Sequence, residues 1–272
     1  KTRSNDTEYR FRTHSNVVWL TGFDEPDAVA VFSPGRDGAE YTLFVRPRNP
    51  EKEQWEGRRA GVHGALENYG ADRAFPLDQL QTELPKILEG AHTLHVQLGA
   101  NTGFDASLLQ MLERLRRTKG KPPSNPTCIR DPRQVLHDMR LIKTADELEW
   151  IRKACDISAQ AHTAAMKACR PGMHEYELQA LIEYVFVRQG ACGPAYTTIV
   201  GAGANATILH YIENRSKIEA GDIVLIDAGC EYNFYAGDIS RSFPASGKFT
   251  PAQRDLYQAV LDAEVAAIDM CT

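Results

Sequence analysis

A run of prolines near the middle of the chain separates two parts with different patterns. Residues 121–133 carry prolines at positions 122, 123, 126 and 132, with serine and asparagine between them and no periodic apolar pattern. Proline lacks a backbone N–H and fixes φ, so such a segment disfavours both helix and sheet. We therefore predict a linker over residues 121–133, an N-terminal domain over residues 1–120 and a second domain over residues 134–272.

Strand-like and helix-like patterns alternate along the first domain. The predicted strands are rich in apolar and β-branched residues, and the predicted helices carry apolar residues at helical spacing. The strands are expected over residues 17–23, 28–33, 41–45 and 92–98, and the helices over residues 51–69 and 104–119. This alternation indicates an α/β domain.

The second domain is expected to open with a long helix. Thr144 and Glu147 have the spacing of a capping box, in which each side chain accepts a hydrogen bond from the other residue's backbone N–H. A helix over residues 175–189, strands over residues 196–200 and 208–211, a hairpin over residues 223–243 and a last helix from Thr250 follow. The last helix has an apolar stripe and reaches Thr272 without a capping residue. Two interpretations stay open: a natural C-terminal helix, or a truncated, nicked or incomplete chain.

Composition excludes several classes of protein. The net charge of −5 lacks the clustered excess of Lys and Arg that nucleic-acid binding requires. No apolar run is long enough to cross a membrane, and the N-terminus has no apolar signal core. The six cysteines show no metal-type spacing, which favours small core residues in a reduced, cytoplasmic protein.

The candidate site is a pair of aspartates in the predicted hairpin. Asp227 follows the apolar run of residues 223–226, and Asp238 lies eleven residues further on. If the hairpin turns at residues 232–233, the two aspartates face each other directly, with Cβ atoms about 4.5–5.5 Å apart. Two like charges at that distance destabilise the sheet unless one is protonated or a divalent cation lies between them.

Other interpretations of this pair remain open from the residues alone. Both aspartates could lie in water at the rim of the sheet, or pair with Arg241. His210 ends a short apolar segment before the hairpin and is most simply a core residue. Next to two carboxylates, however, it becomes a candidate to hydrogen-bond a substrate or a metal-bound hydroxide.

Three other motifs are set aside. Residues 201–206 match the dinucleotide pattern GxGxxA, but a strand-like segment follows them where the motif requires a helix. His92 and His95 lie three apart on a predicted strand and so face opposite sides of it. Cys192 has no evident base partner for nucleophilic catalysis.

Around the aspartates the sequence resembles the aminopeptidase P (Xaa-Pro aminopeptidase) family of pita-bread metallopeptidases. The resemblance covers nearly the whole chain. It implies an α/β N-terminal domain like that of creatinase and aminopeptidase P, followed by the first half of an α+β pita-bread catalytic domain. The motifs that carry it are residues 9–27 (YRFRTHSNVVWLTGFDEPD), 55–59 (WEGRR), 196–201 (YTTIVG), 208–211 (ILHY), 224–232 (VLIDAGCEY) and 235–244 (YAGDISRSFP).

The resemblance implies specific roles for five residues. Asp227 and Asp238 match two of the five ligands that hold two divalent metal ions, usually Mn²⁺. His210 matches the catalytic histidine, and Tyr196 an active-site tyrosine beside the metals. Trp55 lies in a segment that, in the family, reaches toward the active site of a neighbouring subunit, so it is expected to contact substrate.

One departure from the family pattern affects the site. The family's other histidine and two glutamate ligands lie in the second half of the catalytic domain, beyond the residues of this chain. Glu213, Glu219 and Glu231 do not sit in matching motifs and so do not replace them. The chain is therefore expected to supply only part of the metal centre.

The resemblance implies hydrolysis of the bond before proline in peptides with proline second, by a hydroxide that the two metals activate. The expected partners are proline-containing peptides, further copies in a homo-oligomer (a dimer or tetramer), and the chain's own C-terminal segment as a separate fragment. One alternative is a prolidase, which cleaves Xaa-Pro dipeptides. Another is a non-catalytic binding module with a peptidase-like fold.

Overall fold

The structure is a computed structural model that describes residues 2–117 and 126–271. The chain divides into two compact units, Lys1–Ile142 and Lys143–Thr272. Separate clusters of buried apolar side chains lie in the two units.

The first unit alternates strands and helices, as expected for an α/β domain. Its strands are β1 (Thr2–Ser4), β2 (Thr7–Glu8), β3 (Val29–Phe32), β4 (Tyr41–Val45), β5 (Arg73–Pro76), β6 (Thr93–His95) and β7 (Cys128–Arg130). Its helices are α1 (Ser15–Thr21), α2 (Pro50–Glu56), α3 (Gly61–Tyr69), α4 (Leu80–Leu88), α5 (Thr102–Arg116) and α6 (Arg133–Leu141).

Strand β4 is the centre of this unit. It pairs antiparallel with β3 and parallel with β5. Because successive side chains of a strand point to opposite faces, β4 contributes to two cores. Leu43 and Val45 pack on one face with Ala65 of α3, whereas Phe44 packs on the other face with Leu84 of α4 and Leu108 of α5.

Two predictions for the first unit are wrong in detail. Residues 17–23 were predicted as a strand from their β-branched content, but residues 17–21 lie in α1. This helix ends at Gly22, which adopts φ of 67° and donates its N–H to the Val18 carbonyl. Residues 51–69, predicted as one helix, form α2 and α3, because Gly57 adopts φ of 92° between them.

The predicted linker contains regular structure. Residues 118–125 lie outside the described residues. Strand β7 lies within the predicted linker and pairs parallel with β6, and α6 begins at Arg133, the last residue of the predicted linker. Arg140 of α6 also donates a hydrogen bond to Asn16 of α1. These contacts place the boundary between the units after Ile142, beyond the predicted limits of 121–133.

The second unit places helices against two small sheets. Its strands are β8 (Gly193–Pro194), β9 (Ile199–Ala202), β10 (Ile223–Ala228), β11 (Cys230–Tyr232), β12 (Tyr235–Ala236) and β13 (Ile239–Pro244). Its helices are α7 (Ala145–Ala168), α8 (Glu175–Arg188) and α9 (Pro251–Asp269). The predicted capping box at the start of α7 is confirmed, with both Thr144–Glu147 hydrogen bonds present.

The sheets of this unit have the orders β13–β10–β9 and β12–β11–β8, and all of their pairings are antiparallel. Val224 and Ile226 of β10 are buried in a core with Ala154 and Ile157 of α7 and residues of α8. Side chains alternate along β10, so Asp227 points to the opposite face from these core residues.

The hairpin turns one residue later than predicted. Asn233 and Phe234 have φ of 47° and 67° and form the two-residue turn, and Tyr232 pairs with Tyr235 across it. Two central residues with positive φ are typical of a type I′ turn, whose twist matches that of the flanking strands. The prediction had placed the turn at residues 232–233.

The later turn corrects the register of the aspartates. Asp227 pairs with Ser240, not with Asp238, so the predicted direct opposition is wrong by two residues. Since side chains repeat their face every two residues, a shift of two keeps both carboxylates on the same side. Asp227 and Asp238 therefore still lie near each other, although they are not directly paired.

Residues 208–211 form a turn rather than the predicted strand, and Gly203–Thr207 forms a 3₁₀ helix before them. Local packing explains why glycine occupies two positions of the GxGxxA pattern. A Cβ on Gly201 would lie 2.8 Å from the Asn205 carbonyl oxygen, and one on Gly203 would lie 2.8 Å from the Asp222 carboxylate. No α-helix follows the motif in this described segment, so a dinucleotide site stays excluded.

In the described ranges 2–117 and 126–271, no helix combines the length and the apolar character needed to cross a membrane.

Replacing Thr144 with alanine is expected to lower the free energy of unfolding by about 1 kcal/mol, because α7 loses its N-terminal cap. Thr163→Ala is the matched control. Thr163 is exposed within the same helix and bonds only the Ala159 carbonyl one turn earlier. Its replacement should leave the free energy of unfolding unchanged or raise it by up to about 0.5 kcal/mol. Urea denaturation of the three proteins measures both values, and equal losses would contradict the prediction.

Candidate metal centre

The two aspartates meet at one phenol. The Tyr196 hydroxyl lies 2.6 Å from Oδ1 of Asp227 and 2.9 Å from Oδ1 of Asp238. Tyr196 lies three residues before β9, which pairs with β10 beside Asp227. Three separate segments of the chain thus converge on a single oxygen atom.

One hydroxyl hydrogen cannot satisfy two carboxylates at once. A tyrosine has a single O–H donor, so at any moment it bonds one aspartate while its lone pairs face the other. Burial, followed by the hydrogen bonds to Asp227 and Asp238, raises the pKa of Tyr196 well above its usual value and keeps the phenol protonated. The cluster therefore holds two carboxylates with one shared proton donor, an arrangement that a further proton or a cation would stabilise.

The alternative partner of the pair, Arg241, is directed elsewhere. Its guanidinium donates to the Ser240 carbonyl. Among the described residues, no ion pair joins Arg241 to Asp227 or Asp238. The charge of the aspartate pair is thus not neutralised by this neighbouring arginine.

A close approach of two backbones creates the bend that carries the aspartates. The β10–β11 strand bends at Gly229, opposite Gly237 on the returning strand. A Cβ on Gly229 would lie 1.6 Å from the Gly237 carbonyl oxygen, and one on Gly237 would lie 2.6 Å from Ser158 Oγ. Only glycine fits at either position, and each glycine is next to or near one of the aspartates in sequence.

Helix α7 fixes this bend by hydrogen bonds. The Ser158 hydroxyl donates to the Ala154 carbonyl at 2.7 Å and accepts the Cys230 N–H at 3.0 Å. Nε2 of His162 lies 3.0 Å from the Ala228 carbonyl oxygen. Both side chains are almost fully buried. The sequence analysis assigned neither residue a role at the site.

His162 is neutral in this setting. A carbonyl oxygen can only accept, so Nε2 carries the hydrogen and Nδ1 is unprotonated. Burial lowers the pKa of His162 below its usual value, and the carbonyls of Ala228 and Ile239 oppose this shift without overcoming it. Nδ1 has no hydrogen-bond partner within the described part of the chain.

The loop that carries His210 is anchored by a buried carboxylate. Glu175, at the start of α8, accepts hydrogen bonds from the N–H groups of Ala202 and Ser216, each at 2.8 Å. It also accepts from the Tyr211 hydroxyl at 2.8 Å and from the Asn205 amide at 3.1 Å. Nothing in the sequence pattern distinguished Glu175 from an ordinary first-turn acid.

Asn214 anchors the same loop from a second point. Its side chain accepts the Val200 N–H at 3.0 Å and donates to the Thr198 carbonyl at 2.8 Å. Its backbone adopts φ of 50°, and its side chain is buried. Together Glu175 and Asn214 hold the segment from β9 to residue 216 in a defined path.

The structure does not join His210 to the aspartates directly. His210 is exposed at a turn of this loop. Within the described residues it forms no hydrogen bond to Asp227 or Asp238. Trp55 lies in α2 of the other unit with 90% of its surface exposed. The structure thus brings together three of the five predicted site residues: Asp227, Asp238 and Tyr196.

Asp227 and Asp238 supply the type of atom that a divalent metal binds, but two carboxylates are too few ligands. Carboxylate oxygens are the ligands that hard divalent cations prefer. However, no group of three or more His, Cys, Asp or Glu side chains suited to a metal occurs in residues 2–117 and 126–271. Asp227 and Asp238 alone cannot complete a coordination shell, so further ligands are needed.

The fold agrees with comparisons to known families. The family model for metallopeptidase family M24 matches residues 149–272, and the model for the aminopeptidase P N-terminal domain matches residues 1–96. Residues 149–272 thus belong to metallopeptidase family M24, and residues 1–96 to the family of aminopeptidase P N-terminal domains. Together with the relatives described next, these matches identify an aminopeptidase P-type chain.

Individual relatives are similar along nearly the whole chain. Xaa-Pro aminopeptidase of Escherichia coli K12 is 44% identical over 263 residues, which is 96% of this chain and 60% of the relative. Human Xaa-Pro aminopeptidase 3 is 32% identical, over 98% of this chain and 53% of the relative. The chain thus spans little more than half the length of these relatives.

Solved structures give the same result. Pseudomonas aeruginosa aminopeptidase PepP superposes with a TM-score of 0.94 at 47% identity, over 98% of this chain and 60% of that one. Zinc-substituted E. coli aminopeptidase P in complex with product superposes with a TM-score of 0.95 at 43% identity, over 99% of this chain and 61% of that one. The predicted fold, an aminopeptidase P N-terminal domain followed by part of a pita-bread domain, is confirmed.

Gly229→Ala is expected to lower the free energy of unfolding by about 3 kcal/mol or more, because its Cβ would overlap the Gly237 carbonyl. The matched control is Gly221→Ala. A Cβ there meets no atom within 4 Å, and the backbone is not left-handed. The control should stay within about 0.5 kcal/mol of the parent protein. Urea denaturation measures both, and a parent-like Gly229→Ala protein would contradict the described bend.

The raised pKa of Tyr196 predicts that the free energy of unfolding decreases at alkaline pH. Its pKa is raised in the folded protein relative to about 10 in the unfolded chain, so its contribution is complete below about pH 10 and declines above it. The difference in free energy of unfolding between the parent protein and Tyr196→Phe should therefore shrink above about pH 10. Tyr41, with a pKa of about 12, is present in both proteins and cancels. A difference independent of pH would contradict this assignment.

Proposed function

We propose that this chain forms part of a divalent-metal-dependent aminopeptidase that removes the N-terminal residue from peptides with proline second. The observation that carries the proposal is the pair of carboxylates, Asp227 and Asp238, at one phenol within the segment that belongs to family M24. The activity belongs to the whole protein, because the relatives extend well beyond the length that this chain spans.

Asp227 and Asp238 would be metal ligands. The two carboxylates have oxygens 2.6 Å and 2.9 Å from the same hydroxyl, and two carboxylates this close together suit a hard cation. We propose Mn²⁺ as the ion and two as the number. When bound, divalent ions lower the pKa of a coordinated water and polarise the carbonyl of the scissile bond.

The other residues of the chain would position and bind. Tyr196 lies between the two carboxylates and donates its single hydrogen to one of them at a time. His210 stands exposed on a loop that Glu175 and Asn214 fix, so it is available to hydrogen-bond a peptide. Because the loop is anchored by buried groups, His210 would meet its substrate from a defined position rather than from a mobile tip.

Trp55 would contact substrate from a neighbouring copy in a homo-oligomer, a dimer or tetramer. Its exposure suits a contact outside its own unit, since large aromatic side chains are common anchors of interfaces. The segment around Trp55 is fixed by ion pairs: Glu56 accepts from Arg59 at 2.6 Å and lies 3.4 Å from Arg46. A reducing compartment such as the cytoplasm suits the six free cysteines.

The remaining ligands would come from the part of the relatives' length that this chain does not span. Helix α9 gives a second reason to expect additional packing. It contains no buried residue, and its apolar stripe is open: Leu256, Val260 and Ile268 are 60–70% exposed. A separate C-terminal fragment, or the longer protein itself, would cover this face and complete the metal centre.

The test is metal binding and hydrolysis by the full-length protein. The parent protein should bind Mn²⁺ and cleave a Xaa-Pro-Xaa tripeptide when Mn²⁺ is present. Asp227→Asn and Asp238→Asn should each weaken Mn²⁺ binding and lower kcat/KM by about 100-fold or more, because a ligand charge is lost. Asp156→Asn, an exposed change on the outer face of α7, should leave both unchanged.

The outcomes separate the candidate functions. Activity unaffected by Asp227→Asn would sink the metal-ligand assignment. Faster cleavage of a Xaa-Pro dipeptide than of the tripeptide would favour a prolidase. Failure to bind Mn²⁺, Co²⁺ or Zn²⁺ after metal loading would favour a non-catalytic binding module.

A further inference from the structure

We infer that His162 of α7 is a positioning residue for the Asp227–Asp238 pair. It acts through the backbone of the two strands that carry the aspartates. It does not touch either carboxylate by hydrogen bond, and it is not a metal ligand in this proposal.

The position of the ring in the strand ladder carries the inference. His162 Nε2 donates to the Ala228 carbonyl, and Ala228 pairs with Ile239 across β10 and β13. Asp227 immediately precedes Ala228, and Asp238 immediately precedes Ile239. The hydrogen bond from α7 therefore reaches the backbone pair Ala228–Ile239, and each residue of this pair directly follows one of the aspartates in sequence.

The bend beside this pair needs an external restraint. Gly229 directly follows Ala228 on the first strand. On the returning strand, Gly237 lies two residues before Ile239, and the two glycines face each other. Glycine adds backbone freedom at both places. The His162 bond on one side of the bend and the Ser158 bond to the Cys230 N–H on the other restrict that freedom.

A purely space-filling role does not explain a histidine here. The side chain is 2% exposed, and its Nδ1 has no hydrogen-bond partner in the described part of the protein. Burying an unpaired polar nitrogen costs free energy that an aliphatic side chain of similar size would avoid. An aliphatic side chain would lack the donor at Nε2, so the Ala228 carbonyl would lose its hydrogen bond to α7.

Loss of this donor should alter the carboxylate pair without unfolding the unit. The peptide group between Ala228 and Gly229 would lose the restraint from α7 and keep only its pairing with Ile239, which would let Asp227 shift relative to Asp238. Tyr196 could then no longer reach both carboxylates. The consequence for metal affinity rests on the proposed function, whereas the consequence for Tyr196 does not.

The experiment compares three variants by two measurements. His162→Gln retains an amide donor near the Nε2 position, and His162→Leu removes it. Ile157→Val, a core change in the same helix, controls for general loss of packing. The first measurement is the NMR signal of the Tyr196 ring in metal-free protein with carbon-13-labelled tyrosine, assigned by its absence in Tyr196→Phe. The second is the Kd for Mn²⁺ of the full-length protein.

His162→Leu should shift the Tyr196 signal and raise the Kd for Mn²⁺ by about 10-fold to 100-fold. His162→Gln should restore both toward the parent values, and Ile157→Val should change neither. If His162→Leu does not fold, His162→Asn replaces it, because its shorter amide does not reach the Nε2 position.

The two proposals fail in different ways. An unchanged Tyr196 signal in His162→Leu, or an equal shift in Ile157→Val, would overturn the positioning role. A shifted Tyr196 signal in His162→Leu supports it even if the parent protein does not bind Mn²⁺. Failure of the parent protein to bind Mn²⁺ counts against the proposed function alone.

Discussion

The close approach of Gly229 to Gly237 determines how the second unit is built. The two backbones are too near for any Cβ, so the hairpin bends there and its strands continue in two different sheets. Helix α7 packs over the bend, and Ser158 and His162 bond to the backbone on either side of it. The carboxylates stand next to this bend, so their separation follows from a backbone contact rather than from attraction between side chains.

Polar groups inside this unit organise loops instead of strengthening the core. Glu175 accepts four hydrogen bonds, which come from the end of β9, the 3₁₀ helix after it and the loop that follows. A buried carboxylate is costly unless its oxygens are fully paired, and here they are. The result is a fixed path for the chain between β9 and β10, on which His210 is displayed. Rigid display of a polar side chain is what a binding site on a loop requires.

Local signals in the sequence predicted part of this arrangement. The capping box at Thr144 was readable because it depends on two residues three positions apart. The hairpin was readable from its apolar run, but its register was not, because the turn residue Phe234 adopts a positive φ that its side chain does not favour. The first helix was mistaken for a strand because β-branched residues at 17 and 18 outweighed the Gly22 signal. The roles of Glu175, Ser158 and His162 depend on contacts far apart in the chain, which no periodicity reveals.

The single hydrogen of Tyr196 makes the carboxylate pair unequal. The Tyr196 oxygen lies 2.6 Å from Asp227 and 2.9 Å from Asp238, and only one of the two carboxylates receives its hydrogen at a time. Asp238 is also the more exposed of the two. Under the proposed function, the two aspartates would hold a cation from unequal surroundings, because Asp238 presents its carboxylate to solvent and Asp227 is partly covered.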